Sequence, residues 1–337
     1  MDAGASSTTT PPDAVRRTLS ARAPTRLDFG GGWTDVAPYV HDCGAAVCNL
    51  AITRYATATV SLDEATGAQG GSTHPADDAL VRAALRSSPV PHAIASVSSD
   101  FPVGAGLGGS SAAGVALAGA LAAIAGQPLA PATLAERSRR TEVEELGVAG
   151  GFQDHYAAAF GGALLLTSHS PDSPVQVERI PLSESCASDL ARRIILVYTG
   201  QSRISARTIA AVSDACRIGD ARVCHALDEC KRLAHLMADA LRRTDIDALG
   251  ELVSEHWTHQ RALHPSITTD RIDAIQDACV RAGALGMKAL GASGGGCVMA
   301  IARDGAEDAL AGAVAPLGER LAFQVDQAGF HLLPSRQ

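Results

Sequence analysis

Between Asp100 and Ala112 the chain reads Asp-Phe-Pro-Val-Gly-Ala-Gly-Leu-Gly-Gly-Ser-Ser-Ala, small residues followed by two hydroxyls at the start of an apolar Ala/Leu/Val run. Such a segment suits an anion. Gly104, Gly106, Gly108 and Gly109 can take positive φ, so the backbone from Gly104 through Ala105, Gly106, Leu107 and Gly108 to Gly109 can bring N–H groups close to a phosphate. The apolar run predicts a helix from about Ser111 to Ala125, whose positive dipole end aims at the same point. Ser110 and Ser111 add hydroxyl oxygens for a phosphate or a magnesium ion. The spacing is not that of a P-loop, and the dinucleotide fingerprint is absent in its strand-to-helix context.

Three other segments carry residues of chemical interest. In Arg22–Asp35 a strand ends in three glycines that include Gly31 and Gly32, then presents Trp33, Thr34 and Asp35. A carboxylate on such a turn can grip sugar hydroxyls, and Arg26 can offset phosphoryl charge; an ordinary glycine turn closed by a capping Asp has the same composition. In Glu142–Gly162 acidic residues end one helix, Gly150 and Gly151 form a turn, and Asp154 falls in the first turn of the next helix. Asp154 is what a helix start favours, and it is also placed to orient or deprotonate an attacking hydroxyl. Glu142 or Glu144 can be a magnesium ligand or part of a solvated helix face. The cluster Gly291–Cys297, which holds Gly294 and Gly295, reads either as a tight turn or as a second close approach of backbone over a ligand. His256 and His259 lack the spacing of a metal site with a third ligand and are read as structural.

These segments need a scaffold of strands and helices. Arg22–Phe29 and Ala45–Val60 predict two or three strands, and Asp77–Arg86 a short helix. His92–Ser98 predicts a strand into the glycine loop, and Pro131–Leu146 a helix. Strands follow at Gly161–Thr167, Val175–Ile180 and Ile194–Thr199, then three or four helices across Ser205–Ala282, broken near Gly219, Thr244 and Pro265. Val298–Ala302, Ala306–Leu317 and Leu321–Val325 complete the chain as strand, helix and strand.

A length of 337 residues with 46% hydrophobic content supports two lobes. The net charge of -8 offers no basic stripe for nucleic acid, so a small molecule is the expected partner. Eight cysteines without a Cys-x-x-Cys pair read as reduced thiols. Met1–Pro12 is small and polar, and no run reaches the length of a membrane span, which leads to the expectation of a cytoplasmic enzyme with a frayed tail.

In order and spacing the segments resemble the three motifs of the GHMP kinase family, over about Arg22 to Val325. Ala-Pro-Thr-Arg26-Leu-Asp-Phe-Gly-Gly-Gly-Trp-Thr-Asp35-Val, Gly-Gly-Phe-Gln-Asp154-His-Tyr-Ala-Ala-Ala-Phe-Gly-Gly and Tyr198-Thr-Gly-Gln-Ser-Arg203 look most like heptose 7-phosphate 1-kinases, and Gly-Gly-Trp-Thr-Asp is also similar to L-fucose kinases. The resemblance implies an α+β, two-lobed fold: a tail at 1–17, a ribosomal-protein-S5-like ATP-binding lobe at 18–190 and a ferredoxin-like lobe at 191–337. It implies Asp154 as catalytic base, Arg26 as its assistant, and Pro102 with Gly104–Ser111 as the ATP phosphate loop. Gly31, Gly32, Trp33, Thr34, Asp35, Gly151, Arg203, Gly294 and Gly295 fall on the substrate side, and Ser110 or Ser111 with Glu142 on Mg²⁺. A monomer or homodimer that makes a sugar 1-phosphate from ATP is the implied enzyme.

This chain departs from the family at Gly109, where relatives often carry Ser or Thr, and at Ser293, which replaces a glycine. It also lacks the lysine that heptose kinases tend to carry near Gln260. Arg203, Arg207 or Arg261 can supply a charge for a sugar phosphate instead. The alternatives are a kinase of a C7-cyclitol phosphate, a catalytically silent sugar-binding relative and an ATP-dependent decarboxylase.

Overall fold

The computed structural model describes residues 17–62, 78–170, 173–201 and 206–334. The first layer begins with β1 (Arg17–Gly30), α1 (Tyr39–Cys43), β2 (Ala45–Leu62), α2 (Asp78–Arg86) and β3 (Ile94–Ser99). It continues through α3 (Gly109–Ile124), α4 (Pro131–Arg139), α5 (Gln153–Phe160), β4 (Ala163–Ser168) and β5 (Gln176–Ile180). After α6 (Glu184–Arg193) come β6 (Ile194–Tyr198) and four helices, α7 (Ala206–Arg217), α8 (Ala221–Arg242), α9 (Ile246–Leu263) and α10 (Asp270–Arg281). The chain ends with β7 (Gly286–Ala289), β8 (Cys297–Ile301), α11 (Glu307–Val314), β9 (Glu319–Arg320) and β10 (His331–Leu332). One sheet has the order β10-β1-β2-β4-β5 with β3 also on β2, and the other the order β7-β8-β6-β9.

The long strand β2 shows how the two layers share one wall. Ala45 packs with α3 in one core, whereas Ala46, Cys48, Leu50 and Ile52 pack with Leu233, Ala234 and Met237 of α8 in a second. Helices therefore cover both faces, and Ala45–Ile52 is buried without alternation, as a doubly covered strand must be. Helix α3 is apolar nearly all round and lies at the centre of the first core.

Several elements differ from the sequence expectation for definite reasons. Ala45–Val60 is one strand, because its pairing with β1 passes through a register shift between Pro24 and Thr25 without breaking. The helix expected to run to Leu146 widens at Arg140–Glu145 into a π-helical turn, in which the Leu146 N–H bonds the Thr141 carbonyl. Leu321–Val325 does not form a ladder. It crosses between the sheets, the Leu321 N–H donating to Leu196 O at 2.9 Å and Gln324 O accepting from Thr53 N–H at 2.9 Å. Strand β7 was not expected, since Gly-Met-Lys-Ala is short and carries a lysine that only a buried partner makes tolerable. The last strand, β10, returns to the edge of the first sheet beside β1.

The two glycine loops meet between the layers. The Cys297 N–H donates to Ala105 O at 2.7 Å, and a side chain on Gly296, at φ 75°, would sit 2.8 Å from the same carbonyl. Gly296→Ala is expected to cost about 2 kcal/mol through left-handed strain and this clash, read as a lower urea midpoint at unchanged m-value.

Candidate active site

Strand β1 delivers Arg26 to the glycine loop. Its backbone N–H donates to Leu107 O at 3.1 Å, its Nη1 to Gly106 O at 2.7 Å, and its Nε to Asp154 Oδ1 at 2.7 Å. Arg26 is buried, while the Asp154 side chain remains 25% exposed. The Asp154 carboxylate lies against Gly108, where an added Cβ would come within 2.9 Å of its Cγ. A carboxylate is thus held at the mouth of the loop by a cation that also braces the loop. Gly108, at φ 73°, caps α3 without any side chain bonding the helix start, and the first turn holds no acid. Those N–H groups suit an anion.

Ser110 and Ser111 lie in that first turn, and both hydroxyls donate to Glu142, Ser111 at 2.8 Å. The π-helical turn carries Glu142 inward to them. His155 Nε2 lies 3.3 Å from the same carboxylate, and Ser138 Oγ lies 2.9 Å from His155 Nδ1. Burial lowers the His155 pKa, so the ring is neutral and Glu142 is a buried carboxylate with no cationic partner among the described residues. An oxygen-only set of two hydroxyls and one carboxylate suits a hard divalent cation, Mg²⁺ rather than zinc. Glu144 pairs with Arg139 at 3.1 Å on the outer face and is not part of this set.

The turn after β1 is built by contacts from both layers. Thr34 Oγ1 donates to Gly31 O at 2.7 Å and is fully buried, so its side chain closes the turn. His256 accepts the Gly31 N–H at Nε2, 3.0 Å away, and burial with the nearby Lys288 charge keeps its ring neutral. Lys288 Nζ donates to Asp28 Oδ2 at 3.0 Å and to Phe29 O at 3.3 Å, with both side chains buried. Burial lowers the Lys288 pKa and the Asp28 charge opposes that shift.

Asp35 Oδ2 accepts the Gln153 N–H at 3.0 Å and abuts Gly151, where a Cβ would come within 1.9 Å of it. That is why position 151 must be glycine. Burial, reinforced by the charges of Asp154 and Asp28 and opposed by the Gln153 N–H, pushes the Asp35 carboxyl up to about 7. Buried polar atoms around this turn, among them Asp28 Oδ1, Trp33 Nε1, Asp35 Oδ1 and Gln153 Oε1, have no partner among the described residues. Orphaned donors and acceptors beside an anion loop suit a polyhydroxylated ligand.

Gly294 and Gly295 sit elsewhere. Gly294 N–H bonds Ile267 O at 2.8 Å and Gly295 faces Gln201, so these two glycines brace the Ile267 turn and the chain leaving β6, while Cys297 holds the first glycine loop at Ala105 O. Ser293 takes φ 61° and is held by Gln260 Nε2 at 2.9 Å, which explains how a serine occupies a glycine position. A Cβ at Gly109 would meet the Phe101 ring at 2.4 Å, so a larger residue there needs that ring to move. Arg203 lies outside the described residues. Arg207 is exposed near the start of α7, and Arg261 is committed to Gln276 at 2.8 Å and Asp273 at 3.0 Å. Sequence reasoning missed Asp28, Gln153, His155 and Lys288, and read His256 only as structural. One signal was available: Lys288 is one of two lysines in the chain and stands beside a glycine cluster.

Residues 78–162 match the model of the GHMP kinases N terminal domain, and residues 237–316 that of the GHMP kinases C terminal domain. A D-glycero-alpha-D-manno-heptose 7-phosphate kinase of Campylobacter jejuni is 31% identical over 198 residues, 59% of this chain and 58% of that protein. A bifunctional fucokinase/GDP-fucose pyrophosphorylase of Arabidopsis thaliana is 27% identical over 330 residues, 87% of this chain and 31% of that protein. The alignments thus span well under two thirds of either relative. The crystal structure of a D-glycero-D-manno-heptose 1-phosphate kinase from Bacteroides thetaiotaomicron superposes with a TM-score of 0.73 at 21% identity, over 95% of this chain and all of that one. Both domain models match in their order along one chain, and the two-lobed α+β architecture agrees with them, so this chain belongs to the GHMP kinase family.

Proposed function

We propose that this chain is an ATP-dependent kinase that phosphorylates the anomeric hydroxyl of a sugar, with a heptose 7-phosphate as the substrate. The observation that carries this reading is Asp154, held by Arg26 against Gly108 at the open start of α3, where a γ-phosphate and an attacking hydroxyl would meet. The similarity to the Campylobacter heptose 7-phosphate kinase supports the choice of sugar.

In this reading the backbone from Gly104 to Gly109 and the α3 N-terminus bind the ATP phosphates. Ser110, Ser111 and Glu142 would hold Mg²⁺, which supplies charge neutralisation on the phosphates when bound. Asp35 Oδ1, Gln153 Oε1 and Trp33 Nε1, all buried and unpartnered, take sugar hydroxyls. Asp154 orients the anomeric hydroxyl and accepts its proton at Oδ2, since Oδ1 is occupied by Arg26. Arg26 offsets the charge that develops on the attacking oxygen, and its grip on Gly106 O keeps the loop and the base in one frame.

A coupled ADP-release assay with Mg-ATP and a panel of free sugars, sugar phosphates and cyclitol phosphates, with NMR of the product, tests the reading directly; a heptose 1,7-bisphosphate is the expected product. Asp154→Asn should lower kcat by roughly 10³-fold and leave ATP affinity nearly unchanged, and near-normal turnover would remove Asp154 from the base role. Glu142→Gln should raise the Mg²⁺ concentration needed for half-maximal activity about 10-fold, while the sugar KM stays put.

Asp35 adds a pH signature. Its carboxyl is pushed up to about 7 from an ordinary value of 3.8, so the fold binds more protons than the unfolded chain between these values. Wild-type stability from this group therefore falls as pH rises through that window and levels off above it. Asp35→Asn should melt higher than wild type, by a margin that is small near pH 4 and largest at pH 8. Equal margins at both pH values would contradict the buried-carboxyl account.

A further inference from the structure

A cavity of about 730 Å³ opens beside Asp35 and Gly151. It is also lined by Thr133 and Arg137 of α4, by Arg140 of the π-helical turn and by His41 of α1. Not every cation on this wall is available. Arg139 pairs with Glu136 at 3.0 Å and with Glu144 at 3.1 Å, and Glu136 also accepts the Tyr156 hydroxyl at 2.8 Å. Arg137 bonds only the neutral amide oxygen of Gln127, at 2.9 Å, and Arg140 makes no hydrogen bond or ion pair with any described residue. Two arginines about one helical turn apart thus line one cavity without a carboxylate partner among the described residues. Asp35 is part of the same cavity wall, so a polyol gripped there borders the cavity.

Of the other residues named for a substrate phosphate, Arg203 lies outside the described residues, Arg207 is exposed near the start of α7, and the positions around Gln260 are committed. Gln260, where heptose kinases tend to carry a nearby lysine, is buried and bonds Ala289 O and Ser293 Oγ. Arg261 is paired with Asp273 and lies over the Trp257 ring.

We infer that this cavity receives a phosphomonoester carried at the end of the polyol substrate remote from the reacting hydroxyl, with Arg137 and Arg140 as its ligands. The inference rests on the kinase reading for the placement of the polyol at Asp35, and it names the element that selects a phosphorylated over a free sugar. Guanidinium groups suit the task, since their forked donors match phosphate oxygens in pairs. A heptose 7-phosphate and a C7-cyclitol phosphate share the required chemistry.

The test is calorimetric binding to the full-length protein of free heptose, heptose 7-phosphate and a C7-cyclitol phosphate, for wild type, Arg140→Gln and the double variant Arg137→Ala/Arg140→Ala. Wild type should bind at least one phosphorylated ligand 10-fold or more tighter than free heptose; which one identifies the source of the phosphate. Arg140→Gln should lose about half of that advantage on a logarithmic scale, and the double variant all of it, with free-heptose affinity, ATP affinity and melting temperature unchanged. The inference is overturned if neither phosphorylated ligand gains over free heptose in wild type, or if the gain survives in both variants. Parallel ADP release separates this outcome from that of the kinase reading. Arginine-dependent binding without turnover keeps the subsite and rejects the kinase, whereas turnover confined to free sugar keeps the kinase and rejects the subsite.

Discussion

The buried pair between Lys288 and Asp28 is the contact on which the arrangement of the cleft depends. The partners lie 260 residues apart, one on β7 of the second sheet and one on β1 of the first, and both are inaccessible to water. An ammonium and a carboxylate in such a place are tolerable only together, because loss of either leaves an uncompensated charge in a poorly polarisable interior. The Lys288 bond to Phe29 O then sets the exit of β1, and His256 takes the N–H of Gly31 just beyond it. The turn that carries Trp33 and Asp35 is thereby indexed to the second layer as well as to its own strand.

Two further buried carboxylates follow a different rule. Asp35 and Glu142 have no cationic partner among the described residues, and each meets the cost of burial in its own way. Asp35 holds a proton up to about pH 7, whereas Glu142 is satisfied by two serine hydroxyls and lies beside a neutral imidazole. Paired charges of the Lys288 kind hold the frame. Unpaired ones leave acceptors open, an orphaned oxygen at Asp35 and a hydroxyl-bound carboxylate at Glu142, the places proposed above for a sugar hydroxyl and a divalent cation. Arg26 ties the glycine loop to α5, since one guanidinium spans the loop carbonyl of Gly106 and the carboxylate of Asp154.

Much of the scaffold was legible in the sequence because periodicity and glycine punctuation are local. The α3 boundary, the break of the helical region into α7, α8, α9 and α10, and the strand β6 follow the apolar pattern to within a residue or two. The failures are also physical. A four-residue strand around a buried lysine has no local signal, and a segment that bonds one sheet with Leu321 and the other with Gln324 reads as a strand without belonging to a ladder. The glycines at 291–296 were legible as a close approach of backbones, but their neighbours, Ala105, Gln201 and Ile267, were not.

By itself the sequence determined the family, the glycine-rich loop at 104–111 that leads into a helix and the types of residue that could serve there, because loop chemistry and helix starts depend on neighbours along the chain. Only the tertiary structure decided which of those residues act together. It chose Glu142 over Glu144 by the inward side of a π-helical turn, removed Arg261 by pairing it with Asp273, and turned His256 from a core residue into the acceptor that holds Gly31. Each decision rests on a contact across the fold whose energy depends on burial and charge at that point, quantities that spacing along the chain does not encode.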